Sequence, residues 1–186
     1  MTVSAVAICN MALSLLGDEP ITSLTDNSTR ARLCNLRYEH IRDATLRSHP
    51  WNFALLRAEL AELEAEPLFD WDKAFQLPTD CLRVLRLNSA DDEFVIEGRS
   101  LLTDATTAQI RYISQVTDPG QYDSLFIEAF AARLAADICQ KLTGNSGRAD
   151  TLWQQYERKL QEALGADGQE GSDENLTSDI FIEARM

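Results

Sequence analysis

Residues 3–16, V-S-A-V-A-I-C-N-M-A-L-S-L-L, are apolar on almost every side and are followed by Gly17. This pattern predicts a helix over 3–16, ended by the glycine and enclosed by other elements or by a neighbouring subunit. A turn-rich loop, G-D-E-P-I-T-S-L-T, then leads to Asp26, Asn27 and Ser28, three residues whose side chains can cap a helix. Leu33, Leu36, Tyr38, Ile41, Ala44 and Thr45 recur at helical spacing behind them, predicting a second helix over 27–48. Pro50 stops it, because proline has no N–H to donate and pushes His49 out of helical geometry. The stretch H-P-W-N-F then leaves in extended form, with Trp51 and Phe53 on one side, and Pro50, Trp51 and Phe53 form the pivot between two architectures.

From 51 to about 117 the period changes from helical to alternating. Leu56, Ala58 and Leu60 alternate with Arg57 and Glu59, predicting a strand to about Leu60, although the later Glu59, Glu62, Glu64 and Glu66 suit a helix by propensity. Pro67 ends that run. Residues 73–87 read as two short extended pieces broken at Pro78-Thr79-Asp80, E-F-V-I-E-G-R-S-L-L-T as a hairpin turning at Gly98-Arg99, and 108–116 as another strand. Helical spacing returns over 123–142 and 148–164, separated by Gly144-Asn145-Ser146-Gly147. The fold expected is α+β and mainly α: a four-helix bundle of two N-terminal and two C-terminal helices, with a small antiparallel sheet inserted between the pairs. Residues 1–166 make a single domain. Residues 167–186 form an acidic tail of six carboxylates and one arginine that cannot build a core.

The apolar share of 45% and the charged share of 25% are those of an ordinary globular chain, and its 186 residues suffice for one core. Thirty acidic residues against seventeen basic ones give a net charge of -13, which opposes a broad electrostatic grip on nucleic acid or an anionic membrane. The N-terminus lacks the basic start of a signal peptide, and no apolar run is long enough to span a bilayer. The four cysteines, Cys9, Cys34, Cys81 and Cys139, contain no C-x-x-C pair and read as buried reduced thiols of a protein made in a reducing cytoplasm.

Arg32, Arg37, Arg42 and Arg47 recur every five residues on the second helix and invite a nucleic-acid reading. Five residues turn a helix by about 140°, so these arginines wind around the axis and form no single stripe. Glu39 with Arg42, and Asp43 with Arg47, stand at pairing distance. Arg32, Arg37 and Arg42 are therefore better candidates for carboxylates on an adjacent subunit. Leu176, Ile180, Phe181 and Ile182 in the acidic tail are apolar anchors that a neighbour could accept. No catalytic constellation stands out: His40 and His49 lie apart from any ligand cluster, Asp70 and Asp72 are too few to cage calcium, and there is neither a G-x-S-x-G elbow nor a phosphate-cradling loop. The expectation is a protein that is not an enzyme and has no cofactor or metal. The competing readings are a sequence-independent nucleic-acid-binding module that uses the arginine-rich helix, and an enzyme with an unrecognised acidic site.

Taken in order, A-I-C-N-M-A-L-S-L-L-G-D-E-P-I-T-S-L (7–24), the arginine-rich helix, H-P-W-N-F-A (49–54), A-F-Q-L-P-T-D-C-L-R-V-L (74–85), E-G-R-S-L-L-T (97–103) and F-I-E-A-F-A-A-R-L-A (126–135) resemble tail tubular protein A. That is the head-to-tail adaptor, or connector, family of short-tailed bacteriophages and prophages. The resemblance runs from about Val3 to Ala166, and its most specific element is the L-G-x-x-P-I loop followed by the helix and P-W-N-F-A. It implies a structural virion protein that assembles with copies of itself as a dodecameric ring. That ring would bind the portal protein above and the tail nozzle, a tail tubular protein B-like partner, below. DNA would pass its channel during packaging and ejection without specific binding. It implies localisation at the head-to-tail interface of the virion after assembly in the bacterial host cytoplasm, with no membrane contact and no catalytic residues. The acidic tail after Asp167 matches nothing in the family.

Overall fold

The computed structural model describes residues 3–89 and 91–170. Ser4 caps the first helix, α1 (Ala5–Leu16), by accepting the amide of Ala7 at 3.1 Å, and Gly17 closes it at φ +66°, a conformation that favours glycine. Asn10 then ties the following loop back onto the helix: its Nδ2 donates to the Ile21 carbonyl at 2.9 Å and its Oδ1 accepts from the Ile21 amide at 2.8 Å. Of the three candidate caps, Ser28 does the capping for α2 (Thr29–Ser48), accepting from the Ala31 amide at 3.2 Å. Asp26 instead accepts the amides of Thr22 and Ser23, which hold its carboxyl below the usual range.

The chain after α2 does not run extended as expected. Asn52–Ala54 is a turn of 3-10 helix. It turns Trp51 and Phe53 onto one partner, Phe126, whose ring lies 5.1 Å from each. Trp51 is fully buried, and its indole N–H donates to the Thr45 carbonyl at 3.1 Å, which satisfies the one polar atom that burial would otherwise strand. Burying a side chain of this size contributes about 1.5–3 kcal/mol, so the local preference for an extended Pro-Trp segment yields to aromatic packing.

Among the described residues six strands follow: β1 (Leu55–Glu59), β2 (Lys73–Gln76), β3 (Cys81–Leu87), β4 (Val95–Glu97), β5 (Ser100–Thr103) and β6 (Gln109–Ser114). They do not make the one small sheet that the alternation suggested. They form two separate three-stranded antiparallel sheets, ordered β1-β6-β3 and β2-β5-β4. The reason lies in the two faces of β6. Ile113 on one face joins the helical core, whereas Ile110 and Tyr112 on the other join Leu60, Phe75, Leu77, Leu87 and Leu101 in a second core between the sheets. A strand with apolar residues on both faces needs a layer on each side, and the second sheet supplies one. The turn between β4 and β5 falls at Gly98 (φ +59°), and the adjoining Arg99 donates to the carbonyls of Cys81 and Pro78, tying the hairpin to the start of β3.

The helices likewise do not make the expected simple bundle of an N-terminal and a C-terminal pair with a sheet inserted between them. After α3 (Ser124–Thr143), capped by Asp123, and α4 (Ser146–Gln169), capped by Asn145, both α1 and α4 pack mainly on α3, and α2 packs on α3 and the first sheet. α3 is the hub because its small residues, Ala129, Ala131, Ala132, Ala135 and Ala136, let neighbouring backbones approach on several sides. α1 is consequently not enclosed all round: Ala7, Met11 and Ser14 face outwards. α4 runs past the expected stop at Leu164 and through Gly165 to Gln169, so the boundary placed at 167 falls inside a helix. Beyond Glu170 the expected anchors Leu176, Ile180, Phe181 and Ile182 lie outside the described residues.

Candidate subunit interface

The arginines of α2 are mostly engaged within their own subunit. Arg30 reaches Asp18 and Glu19 on the preceding loop, and Arg32 donates to Asn27 at 3.0 Å. Arg37 makes a two-pronged pair with Asp137 of α3, Nε to Oδ2 at 2.6 Å and Nη2 to Oδ1 at 2.8 Å, and this contact raises its pKa. Half-exposed as it is, such a pair contributes on the order of 0.5–1 kcal/mol. Arg42, expected on the surface, is only 5% exposed. Burial works against its charge, but the neighbouring Asp43, at 2.8 Å, outweighs that cost and keeps the guanidinium pKa above its ordinary value. The other oxygen of Asp43 accepts from Gln115 at 2.8 Å, joining α2 to the end of β6. The expected pairs Glu39–Arg42 and Asp43–Arg47 are thus replaced by Asp43–Arg42, and by Arg47 donating to the Leu82 carbonyl on β3. Arg37 and Arg42 are therefore internal braces, and of the three candidates only Arg32 lies on an exposed face.

That face is a stripe of α2 comprising Arg32, Asn35, Leu36, Glu39 and His40. Leu36, which its spacing places among core positions, is 74% exposed; the helix rotates so that Cys34, Tyr38, Ile41, Thr45 and Leu46 take the buried side. A second apolar exposure sits at the tip of the loop between β1 and β2, where Leu68 is 96% and Phe69 is 74% exposed beside Asp70 at φ +69°. Large apolar side chains held in water at a loop tip are unusual unless a partner covers them. The only sequence signal for this tip is the apolar pair between Pro67 and Asp70. A third open region lies along the outer side of α1, a groove of about 610 Å³ lined by Ala7, Met11, Leu15, Ala131 and the Lys159–Glu128 ion pair.

The pivot residues lie at a well-knit joint. His49 packs edge-on to Trp51 at 4.9 Å, and its Nε2 lies 3.1 Å from Oδ2 of Asp167. The other carboxylate oxygen of Asp167 accepts from the Asn52 amide at 2.9 Å, while the Asn52 side chain donates to the Asp167 carbonyl at 2.7 Å. The last turn of α4 is thus clamped onto the junction of α2 and β1. All four cysteines are buried and free; Cys9 and Cys34 are neighbours between α1 and α2, where contact with Cys34 and burial push the Cys9 thiol up.

Among the described residues no group of three or more histidines, cysteines or carboxylates is placed to hold a metal, and no helix is long and apolar enough to cross a membrane. No protein-family model matches the chain, and no curated protein matches it.

Proposed function

We propose that the chain is a structural virion protein, a head-to-tail adaptor subunit that forms a ring between a portal and a tail nozzle and contributes part of the DNA channel. The observation that carries this reading is the ordered run of motifs between Val3 and Ala166. Those motifs supply the joints of the subunit. The L-G-x-x-P-I loop holds Gly17 and the Asn10–Ile21 clamp, P-W-N-F-A makes the 3-10 turn packed on Phe126, and L-P-T-D-C carries the carbonyls that Arg99 ties down. A closed ring of identical subunits needs two different surfaces that fit each other, and the α2 stripe around Leu36 and the Leu68–Phe69 tip supply apolar contacts for such surfaces. The net charge of -13 suits a channel that passes DNA without holding its phosphates.

The nucleic-acid-binding alternative is less favoured, because Arg30, Arg37 and Arg42 already face carboxylates of their own chain. Native mass measurement of the chain, alone and mixed with portal rings, tests the adaptor reading. A defined multimer on the portal is expected. Absence of any association with portal across salt and pH overturns it, whereas a monomer in isolation is compatible with assembly that starts only on the portal.

A further inference from the structure

β3 and β4 are each the last strand of their sheet, and a groove of about 260 Å³ lies against both. Leu82, Arg83 and Val84 of β3, Ile96 of β4, Arg99 at the hairpin turn and Arg47 from the last turn of α2 line it. None of its three guanidinium groups meets a carboxylate among the described residues. Arg47 donates to the Leu82 carbonyl and Arg99 to the carbonyls of Cys81 and Pro78, contacts that leave both charges uncompensated, while the Arg83 side chain has no partner there. Burial raises the Cys81 thiol, and Arg99 and Arg47 both pull against it, so the two cations share one small space. Asp80, which pushes that thiol up, is turned to the Tyr112 hydroxyl at 3.3 Å and does not line the groove. Three cations interleaved with apolar side chains fit a partner that is itself both acidic and apolar.

The loop tip between β1 and β2 has that chemistry. Residues 64–72, E-A-E-P-L-F-D-W-D, hold four carboxylates and no basic residue. Glu64, Glu66, Asp70 and Asp72 are exposed, and their side chains have no partner among the described residues, whereas Glu62 at the foot of the loop is matched by Lys73 at 2.9 Å. Leu68 at 96% and Phe69 at 74% exposure touch little of their own subunit, so the tip does not fill its own groove. It stands on a paired stalk, with the Leu63 amide donating to the Ala74 carbonyl at 2.8 Å and the Gln76 amide to the Ala61 carbonyl at 2.9 Å. A tip presented in this way has less freedom to lose on docking.

We propose that the Leu68–Phe69 tip of one copy of the chain docks in the Arg47–Arg83–Arg99 groove of the next. Its two apolar side chains lie against Leu82, Val84 and Ile96, and its carboxylates lie among the guanidinium groups. Groove and tip are different surfaces of one chain, so the contact is heterologous and repeats from copy to copy. It names the subunit contact of the adaptor ring and rests on that reading. Nucleic acid would match the arginines but not the apolar wall, and it would approach a chain of net charge -13.

The test uses the full chain with a photoreactive benzoylphenylalanine in place of Phe69, once concentrated at low salt and once mixed with portal rings. The expected product is an adduct between two chains, at dimer mass, to residues 77–84 or 96–99. R83E should lower its yield by about fivefold or more, while R32E, the same charge change on the α2 stripe, should leave it unaltered. Combining E64Q, E66Q, D70N and D72N in the chain that bears the probe should act as R83E does. None of these tip and groove changes removes an ion pair within the subunit, and an unchanged urea midpoint checks that each variant is folded. An adduct to the α1 groove or the Leu36 stripe, one within a single chain, one that R32E weakens as much as R83E, or no adduct in either setting overturns the proposal. So does loss of the adduct to double-stranded DNA that the chain retains. A defined multimer on portal rings without this adduct removes the contact and leaves the ring reading standing; this adduct without any portal association does the reverse.

Discussion

Arg42 and the buried tyrosines show how single side chains set the charge state of this core. Tyr122 donates its hydroxyl to the Val116 carbonyl at 2.8 Å, and Tyr112 donates to the Asp80 carboxylate at 3.3 Å. Burial pushes both phenols up to about 12, with Asp80 adding to the effect at Tyr112 and Arg42 pulling the other way at Tyr122. Burial also raises Tyr38 and Cys81. A group whose folded pKa exceeds its unfolded value keeps its proton in the fold while the unfolded chain releases it. Its contribution is complete below the unfolded pKa and is lost as pH rises towards the folded one. Stability is therefore expected to start falling near pH 9 through the thiols, and to fall more steeply between about pH 10 and 12 through the phenols. Urea midpoints measured across that range check this, and Tyr112→Phe should flatten the upper part of the curve. A midpoint that stays constant up to about pH 11.5 contradicts it.

The helices are defined as much by their ends as by their faces. Serine, aspartate and asparagine caps start α1, α2, α3 and α4, and Gly17 and Gly144 end α1 and α3 in left-handed geometry. The end of α4 differs, since Gly165 and Gly168 weaken the final turns by about 1 kcal/mol each relative to alanine. The side chain of Asp167, 10% exposed, offsets this through Asn52 and His49. Asp167→Ala is expected to destabilise the protein by about 0.5–1.5 kcal/mol, since it removes the acceptor of the exposed Asn52 amide. Amide exchange should accelerate over 163–169 and 49–54 together, whereas simple fraying of a helix end would affect only the first of these segments.

At the level of the full subunit, two cores share one sheet: the helices cover one face of β1-β6-β3 and the second sheet covers the other. This arrangement leaves the Leu68–Phe69 tip projecting away from both cores. If the tip is a contact of the ring, combining L68S with F69S leaves stability within about 0.5 kcal/mol of the parent, as expected for exposed positions. The same combination abolishes association with portal rings in native mass measurement. Retained association would place the ring contacts elsewhere, with the α2 stripe around Leu36 as the next site to vary.

Local chemistry made much of this chain readable. Serine and asparagine caps, Gly17 and Gly144, the proline after α2 and the glycine at 98 act within a few residues, so their effects follow from neighbours in sequence. Period-two alternation likewise marked β1 and β6, because pleat geometry alone puts successive side chains on opposite faces. The division into two sheets did not follow from it. Alternation says that Ile110 and Ile113 point to different sides, but not which layer waits on each. The rotation of α2 was equally hidden, since Leu36 and Cys34 both fit an apolar stripe until α3 and Phe130 select the side bearing Tyr38. Arg42 looked like surface by type and became core through Asp43 and Gln115, the second of them 72 residues further along the chain. Strand register works in the same way. Arg57, Arg86 and Arg111 are far apart in sequence, and strand register alone makes them neighbours. Which backbone each residue adopts was largely a short-range matter, whereas which residues meet depended on pairings that bury two apolar faces at once.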